Sequence, residues 1–295
     1  MWSTEHRGGV ASVLNAQQRV LFPVEAGASD TTARQLTRAL LAGSCAGVAL
    51  LAPDDERACR VVRAALHDAC DRNPLLSRAH FAVVVETSAH WAADELLERA
   101  ERLLEHLQLE TLDLLLLRMQ TLALPSEPDV YETKRAVLRL WAAALELQQR
   151  GRVAHLGVSD FSIQLTEFIL RAHPCDPPVA LALVLSLEPP LSPAAAANGT
   201  EAKTGGDTRL ASAVAFAHGR GVDVIVRFPV RALDALSPAV RDRWSRLVHT
   251  IAHKHRGQRF EVVVAHEAGR EPHPTQTQTQ TQTMAGTPAL QAGSW

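Results

Sequence analysis

A chain of 295 residues with 46% hydrophobic and 21% charged residues and a mean hydropathy of −0.03 has the balance of a folded domain, which excludes a fully disordered or collagen-like polypeptide. Thirty basic against 32 acidic residues leave a net charge of −2, too weak a field to favour nucleic acid or an anionic membrane as partner. Met1 to Arg7 contains no apolar signal core, no window approaches a membrane span, and four cysteines without Cys-x-x-Cys spacing read as reduced thiols, so the expected address is cytoplasmic.

Short β-rich apolar runs alternate with longer amphipathic stretches, the pattern of parallel strands joined by helical crossovers. Val20 to Val24 is the first strand candidate, and Pro23 inside it favours an edge or irregular strand because proline lacks the ladder N–H. A helix at 31–43 and a strand at 47–51 follow. A helix at 54–71 opens on Asp54, whose carboxylate is read as its cap. Then come a strand at 81–85, a helix at 88–107 behind Ser88, a strand at 112–117 and a helix at 130–150 behind Asp129. A strand at 153–158 precedes a helix at 162–172 capped by Ser162, and a strand at 179–187 precedes a helix at 208–219. A strand at 222–228, a helix at 237–254 behind Ser237 and a strand at 260–265 complete the series.

Repeated strand–helix units of this number predict an α/β fold of (β/α)8 TIM-barrel type, incomplete or irregular at the N-terminus. No Gly-x-Gly-x-x-Gly turn follows an early strand, which weighs against an open dinucleotide-binding sheet. The expected organisation is an irregular segment at 1–30, a barrel over 31–268 with a solvated insertion at 192–207, and a disordered Thr-Gln-rich tail at 269–295, neither of the last two carrying apolar periodicity.

Thirteen histidines are present, yet pairs such as His253/His255 and His266/His273 lack metal-ligand spacing, so no metal is expected. A Gly-x-Ser-x-Gly elbow and a phosphate loop are also missing, which removes the ordinary hydrolase and nucleotide-triphosphatase readings.

One segment is more specific. Gln149 to Ser162, with Gly151-Arg152 before a strand that ends in Gly157-Val158-Ser159-Asp160-Phe161, resembles the aldo-keto reductase signature, with Asp160 where that family has Asn. Leu109 to Leu117 is similar to the same superfamily's Leu-x-x-x-Asp-Leu strand. The resemblance implies an aldo-keto reductase type of barrel and a catalytic Asp–Tyr–Lys–His set at strand ends. Asp54 stands at the Asp position with no tyrosine after it, Glu86 replaces the Lys and Arg118 replaces the His. The single tyrosine of the chain, Tyr131, falls in a crossover. A carboxylate in place of an ammonium would raise a neighbouring phenol's pKa, the wrong direction for proton donation. No catalytic residue is therefore assigned, and Asp54, Glu86 and Arg118 are degenerate catalytic positions. Glu86 and Arg118, on neighbouring strand ends, are expected to pair, since an unpaired charge in a partly buried mouth is costly.

A second resemblance is to the regulatory (modifier, or light) subunits of glutamate–cysteine ligase, non-catalytic relatives of the reductases. Phe81 to Thr87 with Glu86 in register, Leu112-Asp113, Trp141 to Asp160, Ala215-Phe216-Ala217 and Val222 to Phe228 carry it. It implies no enzyme activity, no cofactor, and a heterodimer with the ligase catalytic subunit that modulates glutathione biosynthesis. Ser186-Leu187-Glu188 stands where that family has a cysteine pair, so no intersubunit disulfide is expected there. The alternative is a divergent NADPH-dependent oxidoreductase in which Ser159 and Asp160 retain the nicotinamide amide. Against it, only Arg270 after the final strand is available for a 2′-phosphate.

Overall fold

The computed structural model describes residues 20–87, 91–118, 129–184, 212–217, 219–228 and 262–266. Eight parallel strands form one closed barrel in chain order: β1 (Val20–Val24), β2 (Gly47–Leu50), β3 (Ala82–Glu86), β4 (Leu112–Arg118), β5 (Val153–Ser159), β6 (Ala180–Val184), β7 (Asp223–Phe228) and β8 (Val262–His266). Helices α1 (Asp30–Leu41), α2 (Glu56–Arg72), α3 (Leu96–Leu107), α4 (Val130–Gln149) and α5 (Ile163–Ala172) connect them, and 212–217 are helical before β7. None of the described helices is long and apolar enough to cross a membrane. The expected insertion at 192–207, the helix at 237–254 and the tail at 269–295 lie outside the described residues, as do positions 1–19 of the N-terminal segment expected to be irregular.

The N-terminal strand corrects the edge reading of Pro23. β1 pairs with both β2 and β8, so it has no free edge. Successive residues of a strand send their N–H and C=O groups to opposite sides. The Val24 carbonyl accepts from Leu51 on the β2 side, which turns the Pro23 nitrogen toward β8, where the described register includes Val20 and Leu21. The missing N–H therefore does not interrupt the β1–β2 ladder.

Helix starts follow local capping chemistry. Ser29 and Ser162 accept from Thr32 and Leu165 N–H groups, and Asp129 accepts from Tyr131 N–H. Helix α2 departs from expectation: its cap is Asp55, which accepts from Arg57 N at 2.8 Å, Ala58 N at 3.4 Å and Gly27 N at 2.7 Å. Burial alone would raise the Asp55 pKa, but these three donors outweigh it and hold the carboxyl below its ordinary value. Asp54 is engaged elsewhere, as described below. The helix expected from residue 88 begins only at Leu96, because residues 92–95 form a turn closed by Glu95 N to Ala92 O.

Alternation along the strands builds two apolar layers. One face of each strand packs under the helices, with Val83, Val85, Leu115, Leu117, Leu156 and Val158 meeting Leu66, Leu103, Trp141 and Leu147. The other face fills the barrel with Leu21, Ala49, Ala82, Val84, Leu114, Leu116, Ala180, Ala182 and Ile225. Two glycines are required by this packing. A Cβ on Gly47 would lie 2.0 Å from the Ala82 carbonyl oxygen, and one on Gly157 would lie 2.8 Å from both Ala180 O and Leu116 Cδ2.

Candidate functional site

Following the inward-facing row of each strand to its carboxyl end leads out of the apolar plug into a polar cluster. On β3 the row runs Ala82, Val84, Glu86; on β4 it runs Leu114, Leu116, Arg118; on β5 it reaches Gly157 and then Ser159. Register aligns Glu86 with Leu116, and Arg118 with Ser159. The three side chains are thereby brought to adjacent strand ends, although they lie far apart in sequence.

Arg118 Nε lies 3.3 Å from Glu86 Oε1, and Ser159 Oγ donates to the same carboxylate oxygen at 3.0 Å. The expected pairing of Glu86 with Arg118 is thus present. Glu86 and Ser159 are buried, at 1% and 0% exposure, whereas the Arg118 side chain keeps 29% of its surface. The carboxylate is the fixed inner partner and the guanidinium is the part that faces the barrel mouth. Thr87 completes the frame: its N–H donates to Leu116 O at 2.9 Å, and its Oγ1 accepts from Arg118 N at 2.9 Å. Sequence reasoning passed over Thr87, whose role depends on a cross-strand neighbour.

Asp160 follows β5 with a φ of 58°, a left-handed conformation that Asp tolerates better than most residues, and its N–H donates to Ala182 O at 2.9 Å. That turn ends the strand, and Ser162 then caps α5. Ser159 and Asp160 are therefore adjacent at the mouth beside β6, where Ala182, opposite Ser159, places no bulky side chain.

Asp54 lies in the loop after β2. Its Oδ1 accepts from Trp91 Nε1 at 2.7 Å and lies 3.4 Å from Arg99 Nη1. Trp91 is 1% exposed, and the loop carrying it is tied to the β2–α2 loop through this bond. This explains why Asp54 leaves the capping role to Asp55. Neither Trp91 nor Arg99 is evident from sequence as a site neighbour; the available signal was that a tryptophan beside a strand end needs an acceptor for its indole N–H. Tyr131 lies on the first turn of α4 and is 77% exposed.

The cluster places a forked guanidinium donor at the barrel mouth, its orientation restricted by the buried carboxylate. Among the described residues no group of three or more His, Cys, Asp or Glu side chains is arranged to hold a metal. All four cysteines are free, with burial pushing the Cys45 and Cys59 thiols up to about 11.

Residues 77–197 match the aldo/keto reductase family, a stretch of less than half the chain that includes Glu86, Arg118, Ser159 and Asp160. No curated protein matches the sequence. Among solved structures, an aldo/keto reductase from Brucella melitensis is similar with a TM-score of 0.59 and 16% identity, covering 87% of each chain. A Bombyx mori aldo-keto reductase in complex with NADP gives a TM-score of 0.58 and 16% identity over 87% of this chain and 82% of that one. An aldose reductase from Giardia lamblia gives 0.57 and 15% over 84% and 82%. At these identities the likeness establishes the fold: an aldo-keto reductase type of (β/α)8 barrel.

Two expectations are corrected by these matches. The chain was expected to be no enzyme, its reductase residues lost, and to take no cofactor; instead the matching family and the neighbouring structures are reductases, one of them holding NADP. The physical error lies in judging Glu86 by the phenol chemistry it cannot support while its expected pair with Arg118 already balances its charge. A lone carboxylate in a lysine's place inverts the local charge, whereas Glu86 paired with Arg118 leaves a charge-balanced polar cluster at the mouth. Nothing among the matches supports the narrower likeness to ligase regulatory subunits.

Proposed function

We propose that the chain is a divergent NADPH-dependent oxidoreductase of aldo-keto reductase type, acting on a carbonyl or its alcohol at the carboxyl mouth of the barrel. The observation that carries this reading is the buried Glu86–Arg118–Ser159 cluster on three adjacent strand ends. That end of a parallel barrel is where loops and strand termini converge on a ligand.

The end of β5 suits a nicotinamide amide. The Ser159 hydroxyl, whose hydrogen goes to Glu86, can accept from an amide N–H, as can the Asp160 carboxylate, and Ala182 leaves the adjoining strand low. When bound, the cofactor supplies the hydride. Arg118 hydrogen-bonds the carbonyl oxygen and stabilises the negative charge that develops there, a role that in this cluster needs no phenol. Glu86 holds the guanidinium in place from below, and the proton that completes the alcohol reaches the oxygen from solvent at the exposed side of Arg118. The segments after β7 and β8, including Arg270, lie outside the described residues.

Titrating the full chain into NADPH and following nicotinamide fluorescence tests this reading. Saturable enhancement is expected, with NADPH consumed on a panel of aldehydes and ketones. Arg118→Met should lower kcat by about 10²–10³-fold, the loss typical when one oxyanion donor is removed, with NADPH affinity little changed. Absence of saturable NADPH binding overturns the proposal. A cytoplasmic address accompanies it, supported by the free cysteines.

Association with a glutamate–cysteine ligase catalytic chain is a separate proposal, supported by the motif likeness over Phe81 to Thr87 and Trp141 to Asp160. Co-expression and co-purification test it. A ligase chain that elutes alone, with unchanged glutamate KM, removes it.

A further inference from the structure

The amino end of the barrel carries a cavity of about 240 Å³ between the last turns of α2 and α3 and the segment leading into β3. Strand starts and helix ends share one face of a β/α barrel, so this cavity is on the opposite side from Glu86 and Arg118. Its walls are Leu66, Leu107 and Leu109, with Arg63, His67, Cys70, Gln108 and Arg78 at the edges and no carboxylate among them.

The charges around it are unequal in availability. Arg78 is committed, donating to Asp113 at 2.5 Å and to the Phe81 carbonyl. His67 lies 2.8 Å from Asp71, and Asp68 pairs with Arg72. Arg63 is different: its bond is a long one, Nη1 to His106 O at 3.4 Å, and among the described residues no carboxylate pairs with it. Helix ends usually present unsatisfied carbonyls, which would repel an anion. Here α3 closes on itself, because Gln108 turns left-handed at a φ of 54° and the N–H groups of Gln108 and Leu109 return to Glu105 O and Leu104 O. The cavity thus combines leucine walls, an available guanidinium and a capped helix end.

The geometry points to a binding site for a small organic anion with an apolar body, such as a medium-chain carboxylate, its carboxylate on Arg63 and its chain against Leu66, Leu107 and Leu109. The volume is below the roughly 300–1,000 Å³ of pockets for drug-sized ligands, which sets the size class. Bidentate pairing with a guanidinium supplies the preference for a carboxylate over a neutral head group.

Cys70 lines the cavity and serves as a local reporter. In a Cys175→Ser chain the remaining thiols, Cys45 and Cys59, are buried, so a thiol-reactive dye reads Cys70. Octanoate is expected to slow Cys70 labelling at least tenfold and saturably, octanol to protect at least tenfold less effectively, and Arg63→Gln to weaken octanoate protection about tenfold while Arg63→Lys retains most of it. Equal protection by octanol and octanoate, or none by octanoate, overturns the assignment, and that comparison needs no Arg63 variant to fold. NADPH binding at the mouth is a separate measurement, so failure here leaves the proposed function standing.

Discussion

Two ion pairs stand at opposite ends of the same barrel and differ in what their atoms are already doing. At the amino end, Arg78 and Asp113 meet at 2.5 Å with 32% and 28% of their side chains exposed. Asp113 also accepts from Val83 N at 2.7 Å, and Arg78 donates to the Phe81 carbonyl. Backbone bonds on both partners make this pair a clasp that holds the entry to β3 against β4. At the mouth, Glu86 is buried and meets the side chains of Arg118 and Ser159 at 3.3 and 3.0 Å. An arginine that lies beside a buried carboxylate and keeps 29% of its side-chain surface exposed is a group that can meet a ligand. An arginine–carboxylate pair therefore serves as a structural clasp in one place and as a candidate site in the other, decided by which end of the barrel it occupies and how deeply the carboxylate is buried.

The contrast is sharpened most strongly at the packed base. Gly47→Val should cost more than about 3 kcal/mol, because its Cβ would overlap the Ala82 carbonyl and force β2 and β3 apart. Urea unfolding measures this, and a loss below about 1 kcal/mol would mean that the strands yield.

The two pairs should then respond unequally to loss of one partner. Arg118→Met removes the cation beside the buried Glu86 carboxyl, and about 2–4 kcal/mol of destabilisation is expected near neutral pH. Adding Glu86→Gln to it should restore most of that loss. Asp113→Asn removes a half-exposed pair and weakens one charge-assisted bond, for about 1 kcal/mol. Equal losses from Arg118→Met and Asp113→Asn would erase the distinction.

The smallest effect concerns His155, near the base on β5, opposite Leu114. Burial holds its imidazole below the ordinary value of 6.5, outweighing the attraction of Asp113. The folded chain therefore binds this proton less readily than the unfolded chain. The associated stability is complete above pH 6.5 and is lost as pH falls through the depressed folded value. His155→Gln should flatten the decline in that window by less than about 1 kcal/mol. An unchanged slope in urea titrations at several pH values counts against the burial argument.

Much of this arrangement is legible in local sequence. Strand runs at 47–51, 112–117 and 153–158 emerge as β2, β4 and β5 because their hydrophobicity is a property of neighbouring residues. Ser162 and Asp129 cap the helices they precede for the same reason. The choice of Asp55 over Asp54 is not local, since it is settled by Trp91, 37 residues from Asp54. The pairing of Glu86 and Arg118 could be anticipated because both close consecutive strands. Its third member, Ser159, is 73 residues from Glu86 and joins only through the β4–β5 register.

By itself, then, the sequence determined the alternation of strands and helices, most helix caps and the residue types at three strand ends. Only the tertiary structure decided that Pro23 sits in a strand paired on both sides, that Glu86 is shared between Arg118 and Ser159, and that Arg63 borders an apolar cavity at the far end. The reason is range: periodicity and capping act within one or two turns, whereas register, burial and charge compensation depend on which distant strand ends the closed sheet places side by side.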